Sequence, residues 1–277
     1  MNNCKDYAIE KKMELQTKVE ELVARKRTPV LTIFQVGNNP SSNSYIKGKM
    51  DDCAEVGIYA HHRTFPESVT TQELVEAITH SHGDSSGIIV QLPLPEHINL
   101  AEVHKAIYPD YDVDGFRKDS LFTPCTPQGV IDYLKYENFD FQGKVACVIG
   151  RSDIVGKPLR ELLLAEDMTV ITCHSKTPKE TMRQMIEFAD IVFTAINPIE
   201  YFDEDWFYAL DGKHIIDIGL GFNENNKLRG NIKKEVKDQL IKDNPHRIIV
   251  SGIGGVGLLT RVTLLDAVVQ AESIKIH

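Results

Sequence analysis

Two alternating apolar patterns run along the chain. Ala8, Met13, Leu15, Val19, Leu22 and Val23 recur at helical spacing and predict an amphipathic helix over 6–26. A dense apolar run over 29–36 predicts a buried strand, stopped by Gly37-Asn38-Asn39-Pro40. Ser41 or Ser42 is placed to cap a second helix that ends at Gly57. Strands follow over 58–65 and 87–91, with a helix over 70–79 between them and a proline loop, Leu92-Pro93-Leu94-Pro95, behind. The stretch 108–127 is irregular, 127–136 is helical, and 137–143 reads as a polar linker. A second series then places strands at 145–149, 169–173, 191–195, 214–218 and 247–250, and closes on a helix over 259–273. Strands alternating with helices predict an α/β fold with parallel sheets.

Composition narrows the class. A length of 277 residues suits two domains, and 42% hydrophobic with 26% charged residues suits a water-soluble globular protein. No apolar run in the sequence approaches the roughly 18–20 residues of a membrane span, and the first ten residues are too polar for a secretory signal. Five cysteines with no CxxC pair argue for a reducing, cytoplasmic setting and against a disulfide framework or a metal site. A net charge of -9 disfavours nucleic acid or an anionic membrane as partner.

Two regions carry candidate chemistry. The strand 145–149 runs into Gly150-Arg151-Ser152-Asp153-Ile154-Val155-Gly156 and then a helix. At such a junction glycine lets backbone approach a pyrophosphate, and the helix start offers free N–H groups. The bland alternative is an ordinary strand–helix turn. The next strand ends at Cys173-His174-Ser175-Lys176-Thr177, without the carboxylate that NAD sites place there. Hydroxyls and a lysine stand instead, with Arg151 on the neighbouring loop, so NADP is favoured over NAD. Alternatively Ser175 and Thr177 cap the following helix.

The second region gathers polar residues around the first strands. Tyr45 and Lys49 lie four apart and share a helix face. Burial lowers a lysine pKa toward neutrality, which makes Lys49 a candidate catalytic amine, although such a pair is commonly just a solvated face. Gln91 ends an apolar strand, where ligands of parallel sheets sit. Asp112-Val113-Asp114-Gly115-Phe116 offers a carboxylate in a tight turn, or an Asx-turn and nothing more.

These stretches stand in one order with Pro124-Cys125-Thr126-Pro127, Asp217-Ile218-Gly219 and Gly254-Gly255-Val256-Gly257. Over nearly its whole length the chain resembles the bifunctional methylenetetrahydrofolate dehydrogenase/methenyltetrahydrofolate cyclohydrolase family. The resemblance implies a folate-binding catalytic αβ domain over 1–139, with the C-terminal helix 259–277 packed back on it, and a Rossmann-like NADP-binding domain over 140–258. It implies a homodimer, tetrahydrofolate derivatives as ligands, and an active site in the cleft between the domains. Lys49 matches the lysine that handles protons in methenyl hydrolysis, Tyr45 the tyrosine that stacks on folate, Gln91 the glutamine bonded to that lysine, and Asp114 the aspartate that pairs with the pterin. Leu92, Pro93, Gly254 and Gly255 match substrate-binding positions. Gly150, Arg151, Ser152, Ile154, Val155, Gly156, His174, Ser175 and Ile196 match cofactor-binding positions, with Arg151 and Ser175 on the 2′-phosphate.

Three departures qualify the match. The family's Pro-Val-Pro-Gly-Gly-Val-Gly-Pro-Met-Thr run reads Ser251-Gly252-Ile253-Gly254-Gly255-Val256-Gly257-Leu258-Leu259-Thr260, and losing its prolines predicts a more mobile loop. A glycine–lysine–proline turn becomes Asn197-Pro198-Ile199, and the stretch from Gly115 to Pro124 is short. A paralogue with one activity, a protein that only binds folate, and another two-domain NADP dehydrogenase stand as alternatives.

Overall fold

The computed structural model describes residues 4–225 and 227–275, without the side chain of Ser41. In chain order the elements are α1 Cys4–Ala24, β1 Val30–Val36, α2 Pro40–Val56, β2 Tyr59–Phe65, α3 Thr71–His80, β3 Gly87–Val90, α4 Leu100–Ala106 and α5 Cys125–Tyr136. There follow β4 Val145–Ile149, α6 Gly156–Ala165, β5 Thr169–Cys173, α7 Lys179–Phe188, β6 Ile191–Thr194, α8 Phe207–Leu210 and β7 His214–Asp217. The chain finishes with β8 Leu220–Phe222, β9 Leu228–Gly230, α9 Lys234–Asp243, β10 Ile249–Ser251 and α10 Gly257–Ile274.

The chain divides into two compact units. The first holds Ile9–Cys125 and the segment from Arg261 onward; the second holds the segment up to Ala8 and Thr126–Thr260. The division falls at Cys125 rather than near 139 because α5 packs within the second unit. There Tyr133 is buried and edge-on to Tyr7, with ring centroids 5.8 Å apart. Lys135 also bridges to Glu166 at 2.6 Å.

The first unit is built on a parallel sheet of order β2-β1-β3. Alternation along β1 covers both of its faces. Leu31 and Ile33 meet Leu15, Val19 and Leu22 of α1, Ile46 and Val56 of α2, and Leu264, Leu265 and Val268 of α10. Phe34 and Val36 meet Leu74 and Ile78 of α3 and Val103 of α4. Met13 and Val23, counted above in the stripe of α1, are exposed, because the buried stripe follows Cys4, Tyr7, Ala8, Leu15, Val19 and Leu22. Asn39 fills the capping role expected of a serine at α2, since its side-chain oxygen accepts from the Ser42 N–H at 3.1 Å. The Ser41 half of that expectation lies outside the described residues. At α3 a capping box joins Thr70 and Glu73.

The segment Gly252–Ile274 is long and apolar enough to cross a membrane, contrary to the reading of the bare sequence. Core duty explains its composition: 56% of that apolar window is buried inside the protein. Polar anchors pin the helix, with Arg261 on Asp52 at 2.9 Å and Glu272 taking hydrogen bonds from Arg27 at 3.3 Å and Ser86 at 2.8 Å.

The second unit carries a five-stranded, all-parallel sheet of order β10-β7-β6-β4-β5 and an antiparallel hairpin, β8–β9. Cys147, Ile149, Val192 and Ile215 of the sheet pack against Ile186 of α7, Trp206, Leu210 of α8, and Val236 and Leu240 of α9. The chain moves from β4 out to β5 and returns past β4 to β6. The strand order therefore reverses between β4 and β6, and ligands of open parallel sheets bind at the carboxyl side of that point. All five cysteines are buried and outside any disulfide.

Candidate active site

The turn after β4 has the geometry of a phosphate cradle. Gly150 has φ +136, and a Cβ there would stand 2.2 Å from the Ala195 carbonyl oxygen at the end of β6. A Cβ at Gly156 would stand 2.4 Å from the Gly150 oxygen. Only glycine lets the three backbone segments cross this closely. Ser152 holds the turn: its hydroxyl accepts from the Val155 and Gly156 N–H groups at 3.2 and 3.3 Å. Ile154 is exposed and Val155 partly so, at the entry to α6.

A cavity of about 350 Å³ opens beside this turn, lined by Arg151, Gly156, Lys157, Arg160, Thr172 and His174. Among the described residues Arg151 has no side-chain partner, while Lys157 and Arg160 are held only by exposed pairs with Asp153 at 2.6 Å and Glu161 at 2.5 Å. Three cations around one cavity, with no carboxylate lining it, suit an extra phosphate on a bound nucleotide. The sequence reading gave no site role to Lys157, Arg160 or Thr172. The available signal was helical spacing, since Arg160 lies one turn beyond Gly156. Ser175 is exposed with no hydrogen-bond partner among the described residues. It does not cap α7, whose start at Pro178 has no side-chain cap. Thr177 instead takes the His174 N–H at 3.0 Å, and the His174 ring takes the Lys176 N–H at 3.2 Å.

Ile196 follows β6 with both its backbone groups bonded to the Asn231 side chain. The run Gly252–Val256 is a kinked turn, with Ile253 at ψ 116 and Gly254 at φ +71, and α10 begins after it. Gly254 is exposed and Gly255 is buried. Loss of the prolines led us to expect mobility here, yet Ser251 at the base of the turn is anchored by Lys237, whose ammonium donates to its hydroxyl at 2.9 Å.

In the first unit the sequence-predicted residues converge on the carboxyl end of β3. Gln91, one residue past that strand, keeps its backbone N–H on the Phe34 carbonyl at 2.9 Å. Its side-chain amide donates to the Leu92 carbonyl at 2.8 Å, which turns its oxygen toward Lys49, whose ammonium donates to it at 3.3 Å. Ser42 donates to the same Leu92 carbonyl at 3.4 Å, and the Leu92-Pro93 bond is cis. Tyr45, one turn before Lys49 on α2, is exposed.

Asp112 is buried and accepts the Arg117 N–H at 2.8 Å, so the turn-forming carboxylate is Asp112, and Asp114 is left for other work. Burial pushes the Asp114 carboxyl above the usual range; the charge of Lys49 opposes this, Asp112 adds to it, and His104 opposes it. Burial likewise lowers the pKa of His104. Its Nε2 is buried without a hydrogen-bond partner among the described residues. The short stretch after Gly115 is held by Arg117, which donates to the carbonyls of His104, Lys105 and Ile107 at the end of α4. Among the described residues no group of three His, Cys, Asp or Glu could hold a metal ion.

An open parallel sheet with a glycine crossing at its switch point and a cationic cavity beside it defines a dinucleotide-binding α/β protein. Comparison with known proteins narrows the class. The family model of the tetrahydrofolate dehydrogenase/cyclohydrolase catalytic domain matches residues 3–114, and that of its NAD(P)-binding domain matches 124–276. The bifunctional protein FolD of Bacillus thuringiensis (strain Al Hakam) is 39% identical over 82% of each chain. The structure of the bifunctional FolD dehydrogenase/cyclohydrolase of Campylobacter jejuni superimposes with a TM-score of 0.89 at 33% identity, covering 98% of this chain and 97% of that one. The FolD enzyme of Trypanosoma brucei, solved with NADP and an inhibitor, gives 0.86 at 26% identity, with 99% and 96% covered. The chain belongs to the tetrahydrofolate dehydrogenase/cyclohydrolase family.

Proposed function

We propose that this protein oxidises 5,10-methylenetetrahydrofolate with NADP and hydrolyses the resulting 5,10-methenyl compound to 10-formyltetrahydrofolate. The observation that carries the reading is the Lys49–Gln91 contact at the end of β3, with Asp114 within reach of the same lysine's charge.

Gly150 and Gly156 are suited to hold the pyrophosphate, and Arg151, Arg160 and Ser175 the ribose 2′-phosphate. Bound NADP supplies the hydride acceptor. The chain's part in that step is positioning: Tyr45 offers a ring face to the folate, Asp114 pairs with the pterin, and the backbone at Leu92 and Pro93 shapes the contact surface. Hydrolysis asks more of the side chains. Water adds to the methenyl carbon, Lys49 accepts its proton, and the same amine returns a proton to the ring nitrogen that leaves. Gln91, clamped by the Leu92 carbonyl, aims that amine.

Lys49→Met tests the division of labour. Methenyl hydrolysis, followed by loss of methenyl absorbance, falls by at least about 100-fold, while hydride transfer partly survives. Unchanged hydrolysis removes Lys49 from the mechanism. We also infer a homodimer; the exposed Phe188 and Tyr208 of the second unit are compatible with a buried face, and sedimentation reads the assembly.

A further inference from the structure

Lysine is rarely buried unless its charge is paired. In the second unit Lys237 on α9 is 8% exposed, and Asp217, Asn231 and Thr194 are fully buried. These residues form one network. The Lys237 ammonium donates to Asp217 Oδ2 at 3.1 Å and to Ser251 Oγ at 2.9 Å. Asp217 Oδ1 accepts from the Thr194 hydroxyl at 2.8 Å and from the Asn231 N–H at 2.9 Å. Asn231 in turn donates its amide to the carbonyls of Ile196 and Pro198 at 2.9 and 2.8 Å and accepts the Ile196 N–H at 3.1 Å.

The members lie at or just after the carboxyl ends of the sheet strands β6, β7 and β10, just after β9 of the hairpin, or on α9. The packing there is tight: a Cβ at Gly219 would stand 2.0 Å from Asn231 Oδ1, and one at Gly230 would stand 2.2 Å from Asp217 Oδ2. Two of the places so held, Ile196–Pro198 and Ser251, fall in two of the three stretches where this chain departs from the family's pattern.

We propose that Lys237 is a positioning residue for the dinucleotide site: by bridging Ser251 to Asp217 it holds the segments after β6 and β10 in the arrangement that receives the cofactor. The lysine bridge stands in for the rigidity that prolines give the same turn elsewhere in the family. An ionised donor shared between a carboxylate and a hydroxyl is a strong tether, and its loss frees Ser251 and leaves Asp217 short of one partner.

The inference rests on the NADP reading for its kinetic consequence, so the experiment has two readouts. Lys237→Met and Lys237→Arg are made in the full chain. Because Lys237→Met strands a buried carboxylate, Asp217→Asn/Lys237→Met is made beside it, with no unpaired charge left to unfold the protein. The account expects KM for NADP to rise about tenfold in the two methionine variants and Lys237→Arg to recover most of the loss. It also expects faster amide exchange at 251–256 and at Ile196 and Asn197 without any ligand. Unchanged KM for NADP overturns the proposal, and so does unchanged exchange in both segments. A wild-type protein with no NADP turnover defeats the proposed function alone, and the exchange readout then decides the role of Lys237.

Discussion

Arg160 is the side chain we propose to set cofactor choice. It lies one turn beyond Gly156, on the wall of the same cavity as Arg151. Its pair with Glu161 is exposed, and such pairs hold a guanidinium weakly. It is therefore free to turn onto a phosphate. Arg160→Ala should raise KM for NADP about fivefold to tenfold while leaving the weaker reaction with NAD unchanged. Initial rates with both cofactors measure this, and equal effects on both would remove Arg160 from the 2′-phosphate contact. Asp114, which we propose pairs with the pterin, is held against the fold's own interest. Its pKa is raised mainly by burial, so the folded chain binds its proton more tightly than the unfolded chain does. The destabilisation is fully present above the folded pKa and disappears as pH falls below the ordinary 3.8. Asp114→Asn should raise the melting midpoint at pH 7.5, leave it unchanged near pH 3, and weaken folate binding by about tenfold or more. A melting midpoint lowered at pH 7.5 would show that Asp114 serves the fold.

At the scale of elements, β7 carries a titratable anchor at its start. His214 takes the Ile248 N–H on Nδ1 and faces the Arg247 guanidinium through Nε2, so it fastens β7 to the chain leading into β10. Burial, then Arg247, brings its pKa from 6.5 to about 4, with Asp190 opposing and Lys144 assisting. Between those values the unfolded state binds the proton and the folded state does not. Stability is therefore complete above pH 6.5 and is lost progressively as pH falls toward 4. Replacing His214 with Gln should flatten the slope of unfolding free energy against pH in that window; an unchanged slope would assign it to other groups. Elements marked by a dense apolar run or a clear helical period were legible in the sequence, among them β1, β4, β5, α3 and α10. The sequence reading passed over α4, α9 and the β8–β9 hairpin. α9 buries Val236, Lys237 and Leu240, so a charged residue sits where the period asks for an apolar one. β8 and β9 have three residues each, too few to show a period of two.

Across the whole molecule, local patterns predicted parallel strands but not their order. The order β5-β4-β6 brings Gly150 against Ala195, 45 residues on, and makes the glycine turn a ligand site. Long-range pairing of this kind leaves no periodic trace. Tyr45, Lys49, Gln91 and Asp114 were legible because they follow a family pattern in order. The structure adds the reason for their spacing: α2, the end of β3 and the turn after α4 bring them to one edge of the small sheet. Arg160, Lys157 and the Lys237–Asp217 network were not legible, since each acts through partners that only the fold supplies. The central claim is that one chain performs NADP-dependent oxidation and hydrolysis of a folate. Purified protein is mixed with 5,10-methylenetetrahydrofolate and either NADP or NAD, and reduced cofactor and methenyl absorbance are followed together. The account predicts reduction of NADP in preference to NAD, with methenyl absorbance that rises and then decays. Folate binding without reduction of either cofactor would contradict it.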